Sequence, residues 1–210
     1  SLSVSGRTDL ALINVKTKEI QIKIVYYGPG RGGKTTNLEY INNTYREQIK
    51  TEMVSLKTQD DRTLFFDFLP FDVGQIKGFD VTIQLYTVPG QVKYNATRKL
   101  VLRGVDGIVF VADVQKELRK KNIESLNQLY ENLESYNLDL FKMPVVMQYN
   151  KIDLKKTDIP ILPSAVLQKD LNSLLRAPAF EASAINGGNV IPTLKKIISI
   201  SLASIQDQVF

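Results

Sequence analysis

The apolar run Ile24-Val25-Tyr26-Tyr27 passes directly into Gly28-Pro29-Gly30-Arg31-Gly32-Gly33-Lys34-Thr35-Thr36, and a helix-compatible segment follows. A strand, a G-x-x-x-x-G-K-T loop and a helix in that order form a cradle for phosphate. Gly28, Gly30, Gly32 and Gly33 let the backbone curl until its N–H groups face inward, and positive φ is open to each of them. Lys34 adds a point charge for the β- and γ-phosphates, and the Thr35 hydroxyl is a ligand for Mg²⁺. Arg31 and Thr36 belong to the same loop, and the helix that follows turns its positive dipole end toward the anion.

A chain of 210 residues, 43% of them hydrophobic, can bury the core of one α/β domain. It contains no cysteine, which excludes disulfides, zinc thiolates and prenylation, and no histidine, which removes the commonest general base. Catalysis must then rest on positioning, cations and metal. No apolar run approaches the ~18 residues of a membrane span, and Ser1 to Asp9 lack a signal-peptide core. We expect a cytoplasmic protein with no lipid anchor. The formal charge of +5 is modest, and the clusters Arg119-Lys120-Lys121 and Lys151 to Lys156 read as solvated surface, so no nucleic-acid partner is expected.

Residues 1–9 read as a flexible N-terminus and 10–210 as a single domain. Leu10 to Val15 and Glu19 to Tyr27 form a hairpin around Lys16-Thr17-Lys18. A helix over Thr35 to Glu47 follows the loop. Thr63 to Leu69 and Val81 to Val88 are strands, and Pro89-Gly90 then breaks the pattern. Gly107 to Asp113, Val145 to Tyr149 and Ala179 to Ala182 are short strands between helices at Glu117–Tyr136, Pro163–Leu175 and Asn189–Gln206. This alternation predicts an α/β fold with a mostly parallel central sheet and helices on both faces, extended by the N-terminal hairpin strand. Ligands then sit beyond the carboxyl ends of the strands, where the phosphate loop lies.

One of those ends carries Asn150-Lys151-Ile152-Asp153. The Asp153 carboxylate can accept from the N1–H and exocyclic amine of guanine, a donor pair that adenine lacks, so ATP would leave it buried and unpaired. Asn150 can brace the phosphate loop, and the Lys151 stem can cover the base. Ser183 and Ala184 follow the last strand, where backbone N–H groups can meet the guanine O6.

Together these segments resemble the Ras-like P-loop GTPases over residues 20–207. The resemblance narrows to the MglA family on Lys23 to Gly30, Arg62 to Pro70, Leu85 to Gln91 and Arg103 to Gly107. It implies a molecular switch that binds GTP and GDP with Mg²⁺ and hydrolyses GTP. It also implies a homodimeric roadblock-type activator (MglB-like), polarity and motility effectors, recruitment of the GTP form to a cell pole, and a monomer in the GDP state. By resemblance Gln91 orients the attacking water, Gly90 meets the γ-phosphate, Thr63 senses Mg²⁺ and γ-phosphate, and Arg62 assists hydrolysis in cis beside Lys34.

The sequence departs from the common Ras pattern at Thr87-Val88-Pro89-Gly90-Gln91. Thr87 stands where most members carry the aspartate of D-x-x-G, which implies either weaker Mg²⁺ retention or a carboxylate supplied from elsewhere. Asp67, Asp60 and Asp61 are the candidates, with Asp67 equally compatible with a solvent-facing strand position. Without such a carboxylate the chain would read as a nucleotide-gated scaffold with little hydrolysis. Arg31 replaces an apolar residue of many MglA relatives, and its side chain either points outward or reaches the β-phosphate or a partner.

Overall fold

A computed structural model describes residues 7–8, 11–48, 54–56 and 66–209. Nine strands among them form one sheet. Strand β1 (Arg7–Thr8) pairs with β2 (Ala11–Asn14), which pairs antiparallel with the start of β3 (Glu19–Tyr27). The expected hairpin is present, and it carries one strand more. Arg7 and Thr8, expected in a flexible tail, take up the free edge that β2 would otherwise present.

Helix α1 (Lys34–Thr44) leaves the phosphate loop, and β4 (Val54–Leu56) leads to β5 (Phe66–Ile76) and β6 (Phe79–Thr87). Strand β5 runs seven residues past Leu69, the expected end of the strand. Strand β4 pairs only with residues 66–68, so Pro70 lies where β5 has become an edge and its missing N–H costs no ladder bond. The β5–β6 turn is two residues long, with Lys77 and Gly78 both at positive φ, as a type I′ hairpin requires.

The rest alternates as expected: α2 (Asn95–Val101), β7 (Gly107–Asp113), α3 (Arg119–Glu134), β8 (Val145–Asn150), α4 (Ser164–Leu167), β9 (Ala179–Ala182) and α5 (Val190–Val209). Helix α4 is shorter than the Pro163–Leu175 pattern predicts, because Gln168–Asn172 widen into a π-helical turn. There Gln168 receives the Tyr149 hydroxyl and the Asn172 side chain turns back onto Ala177.

The strand order β4-β5-β6-β3-β7-β8-β9 is parallel from β6 to β9 and antiparallel at β4 and β5. Alternation along the strands splits the core between the two faces. Ile22, Ile24, Ile83 and Val109 pack under Leu38 and Ile41 of α1 and Leu194 and Ile197 of α5. Val25, Phe110 and Met147 pack on the other face under Val101 of α2 and Leu126, Leu129 and Leu133 of α3. Strands β3, β7 and β8 are buried on both faces at their carboxyl ends. Strands β7 and β8 end on the polar residues Asp113 and Asn150, and β3 runs straight into the phosphate loop, which concentrates the site there.

Candidate functional site

The phosphate loop spans the six residues between β3 and α1. Only Gly28 and Gly33 adopt the left-handed region, at φ +149° and +102°. A Cβ at either would stand 2.1 Å from the Val111 carbonyl oxygen or the Asn150 side chain. Positive φ is open to Gly30 and Gly32 also, but the third left-handed residue of the loop is Arg31, at φ +59°. Its side chain is exposed at the rim of the cleft, a place compatible with each of the orientations open to it. Lys34 is buried and donates to the carbonyl oxygens of Gly28 (2.9 Å) and Pro29 (2.7 Å). Burial, then the charge of Arg98, depress its ammonium to about 7, with Asp67 opposing and Lys151 adding to the depression.

Beside the loop the Thr35 hydroxyl donates to Asp67 Oδ2 at 2.6 Å. The Thr87 hydroxyl donates to the same oxygen at 2.9 Å and accepts from the Asp67 N–H at 2.8 Å. Asp67 and Thr87 are each 1% exposed, so the solvent-facing alternative for Asp67 is overturned. The register of β5 on β6 explains it. Phe68 faces Tyr86, which sets Asp67 across from Thr87 at the carboxyl end of β6. The carboxylate beside Thr35 and Thr87 thus comes from the neighbouring strand. Asp60, Asp61, Arg62 and Thr63 lie outside the described residues.

After Thr87 the chain turns across the loop. Gly90 lies against it so closely that a Cβ there would stand 2.2 Å from the Gly30 backbone. Gln91 is exposed and begins the short 3₁₀ turn Val92–Tyr94. From α2, Arg98 reaches back beneath this segment and donates to the carbonyl oxygens of Pro89 and Gln91.

The base corner is built from side chains that hold one another. Asn150 donates to the Gly32 carbonyl oxygen and accepts from the Ala184 N–H, each at 2.9 Å. That bond ties up the Ala184 amide expected to face a base oxygen. Ser183 turns its hydroxyl onto Asp153 Oδ1 at 2.8 Å, which places it behind the carboxylate and orients it. Lys151, at φ +76°, forms an ion pair with buried Asp113 at 2.7 Å. Gln148 on β8 joins α1 and α5 through Asn37 and Thr193. No sequence signal marks Asp113 or Arg98. Asp113 gains Lys151 from a loop 38 residues on, whereas Arg98 turns back onto the segment that leads into its own helix.

An open cleft of about 1350 Å³ joins these parts. Residues 29–36, Gly90, Gln91, Asn150, Lys151, Asp153 and Ala184 line it, with Arg98 at its floor. Among the described residues no cluster of three or more acidic, histidine or cysteine side chains could hold a metal by itself, and no helix is long and apolar enough to cross a membrane. The hard oxygens of Thr35, Thr87 and Asp67 nevertheless suit Mg²⁺, which binds through one or two carboxylates plus phosphate oxygens and water.

The Ras family model matches residues 23–202. The chain is 48% identical to the mutual gliding-motility protein MglA of Myxococcus xanthus, over 94% of this chain and 98% of that protein. It is 26% identical to the Ras-related protein Rab7 of Cenchrus ciliaris, over 86% of this chain and 82% of that one. Against the Ypt/Rab-type GTPase YPT7 of Saccharomyces cerevisiae it is 27% identical, over 86% and 81%. The chain therefore belongs to the Ras family as an MglA-type small GTPase, a molecular switch that binds GTP and GDP and hydrolyses GTP.

Proposed function

We propose that this GTPase is a slow, Mg²⁺-dependent timer of cell polarity or motility whose hydrolysis is accelerated by a roadblock-type activator. The observation that carries the reading is Asp67. A carboxylate buried between the Thr35 and Thr87 hydroxyls supports retention of the metal and argues against a scaffold that merely holds nucleotide. Thr35 and Thr63 would hold Mg²⁺, with Asp67 and Thr87 orienting the site from behind. Bound there, the metal neutralises charge on the β- and γ-phosphate oxygens.

The chain's own residues supply the rest. The loop amides of Gly28, Gly30, Arg31, Gly32, Gly33 and Thr36 surround the phosphates. Lys34 exchanges two carbonyl partners for phosphate oxygens, which restores the charge that burial disfavours. Asp153 receives the guanine edge, with Asn150, Lys151, Ser183 and Ala184 completing the base pocket. Gly90 offers its N–H to the γ-phosphate, and Gln91 orients the water for in-line attack. Arg62 adds positive charge as the transition state forms. Family likeness supports the wider role, in which the GTP form recruits polarity and motility effectors from the cytoplasm to a cell pole and the GDP form is monomeric.

The test is phosphate release from GTP with Mg²⁺, alone and with an MglB-like roadblock dimer, in the presence of competing ATP. Intrinsic turnover should be near the slow Ras-type value of about 10⁻⁴ s⁻¹ and rise by roughly 10³-fold or more with the partner. Excess ATP should not slow it. Absence of phosphate release in both arms would leave the nucleotide-gated scaffold as the correct reading.

A further inference from the structure

Arg98 lies eleven residues beyond Thr87 and belongs to no nucleotide-binding motif. Its side chain is 2% exposed and the largest of those fully buried. Burying a guanidinium is costly unless its donors are matched. Nη1 donates to the carbonyl oxygen of Pro89 at 2.9 Å and also to that of Gln91. Both are charge-assisted bonds, the stronger class of hydrogen bond.

The choice of carbonyls matters. The Pro89 C=O and the Gly90 N–H share one planar peptide unit and point in opposite directions. A guanidinium fixed to the first therefore aims the second away from itself. The Gln91 carbonyl, one residue further on, fixes the backbone from which the Gln91 side chain springs. Arg98 thus grips the two points that determine where the Gly90 amide and the Gln91 amide group lie.

The grip is anchored in the body of the domain. The Arg98 guanidinium lies near enough to the hydroxyl of Tyr27, the last residue of β3, for its charge to act on that hydroxyl. That hydroxyl also receives Asn132 of α3 at 3.2 Å, and Asn132 donates in turn to Asn95 of α2 at 2.9 Å. Strand β3 and helices α2 and α3 therefore surround the guanidinium on the side away from the Pro89–Gln91 segment.

We propose that Arg98 is a positioning residue for GTP hydrolysis, holding the Gly90 amide and Gln91 in working orientation through the Pro89 and Gln91 carbonyls. The inference rests on the reading that Gln91 places the attacking water. Displacing a reacting group by about 1 Å can cost roughly 100-fold in rate. Arg98→Met, which keeps length without the donors, should slow single-turnover hydrolysis by about that factor while changing GDP affinity less than about 3-fold. In a Gln91→Ala background the same substitution should slow the residual rate by clearly less than in wild type, because one of the two groups it positions is gone and only the Gly90 amide remains.

Wild-type single-turnover hydrolysis in Arg98→Met would overturn the proposal. So would a full second loss in the double variant, which would show Arg98 acting independently of Gln91. Should Arg98→Met fail to fold, Tyr27→Phe tests the same anchor and should slow hydrolysis by roughly 2- to 10-fold, the worth of one lost hydrogen bond. An unchanged rate there would overturn the proposal equally. Gln91→Ala alone at wild-type rate would instead remove the reading on which the proposal rests, so the two failures are distinct.

Discussion

The two ends of the cleft are held in different ways. At the base end Asn150, Asp153, Ser183 and Lys151 each have a partner within the corner or the loop it touches, and the short carboxyl ends of β8 and β9 fix their backbones. At the γ-phosphate end the Pro89–Gln91 segment rests on a glycine contact and on one guanidinium, and the metal-side carboxylate arrives from β5. On the proposed assignment the base corner is prebuilt, so selection of guanine would cost little rearrangement. The proposed switch end hangs on a single side chain, Arg98, whose release would free it for a second arrangement. Specificity and timing are thus separated along one groove.

Breaking the rigid end should have the largest effect. Asp153→Asn exchanges one carboxylate oxygen for an amide that cannot accept, and should weaken both GTP and GDP by about 100-fold, the scale of a lost charge-assisted bond pair. Ser183 can still donate to the remaining carbonyl oxygen, so thermal stability should hardly move. Nucleotide titration checks this, and equal affinity in wild type and variant would show that the prebuilt corner is not the base site.

A change at the switch end should be smaller and selective. Asp67→Asn keeps shape and removes the one carboxylate between Thr35 and Thr87, so the Mg²⁺ concentration needed for half-maximal GTP hydrolysis should rise by about 10-fold. GDP binding without Mg²⁺ should stay close to wild type. An unchanged Mg²⁺ requirement would place the metal's carboxylate elsewhere in the chain.

The smallest effect is a control at the opposite end of the sheet. Asp106 is buried, accepts from the Lys23 N–H at 2.7 Å, and has a second oxygen without a hydrogen-bond partner. Burial pushes its carboxyl up to about 8, with Lys23 opposing. The folded form therefore holds a proton that the unfolded chain releases near its ordinary value. The resulting stability is complete at low pH and is lost as pH rises through about 8. Asp106→Asn should flatten this loss, gaining about 1 kcal/mol or more on wild type between pH 5 and 9. Melting temperatures across that range check it, while nucleotide affinity at either end of the cleft should not change.

The sequence exposed this division unevenly. Gly28 to Thr36 and Asn150 to Asp153 were legible because each motif is local, with its chemistry set by spacing within a single turn. The α/β alternation was equally plain, since β3, β7 and β8 are apolar on both faces where they cross the core. Asp67 stayed open for a definite reason. Alternation divides a strand into two faces, but only pairing with β6 reveals which face looks at Thr35. Strand β5 extended past Pro70 because β4 is short, a fact about a neighbour. Asp113 was invisible because its partner Lys151 belongs to a loop that only tertiary folding brings near, and Arg98 because its partners are backbone carbonyls, which carry no sequence signal.

Placing the metal-side carboxylate on β5 makes the alignment of two strands a thermodynamic variable of the switch. A slip of one residue between β5 and β6 would turn Asp67 to the opposite face, and a slip of two would bring Leu69 opposite Thr87 in its place. Whatever free energy the metal and nucleotide gain from Asp67 is therefore free energy that resists such a slip, by the reciprocity of linkage. If Asp67 serves the metal as proposed, strand register and nucleotide state are coupled through it.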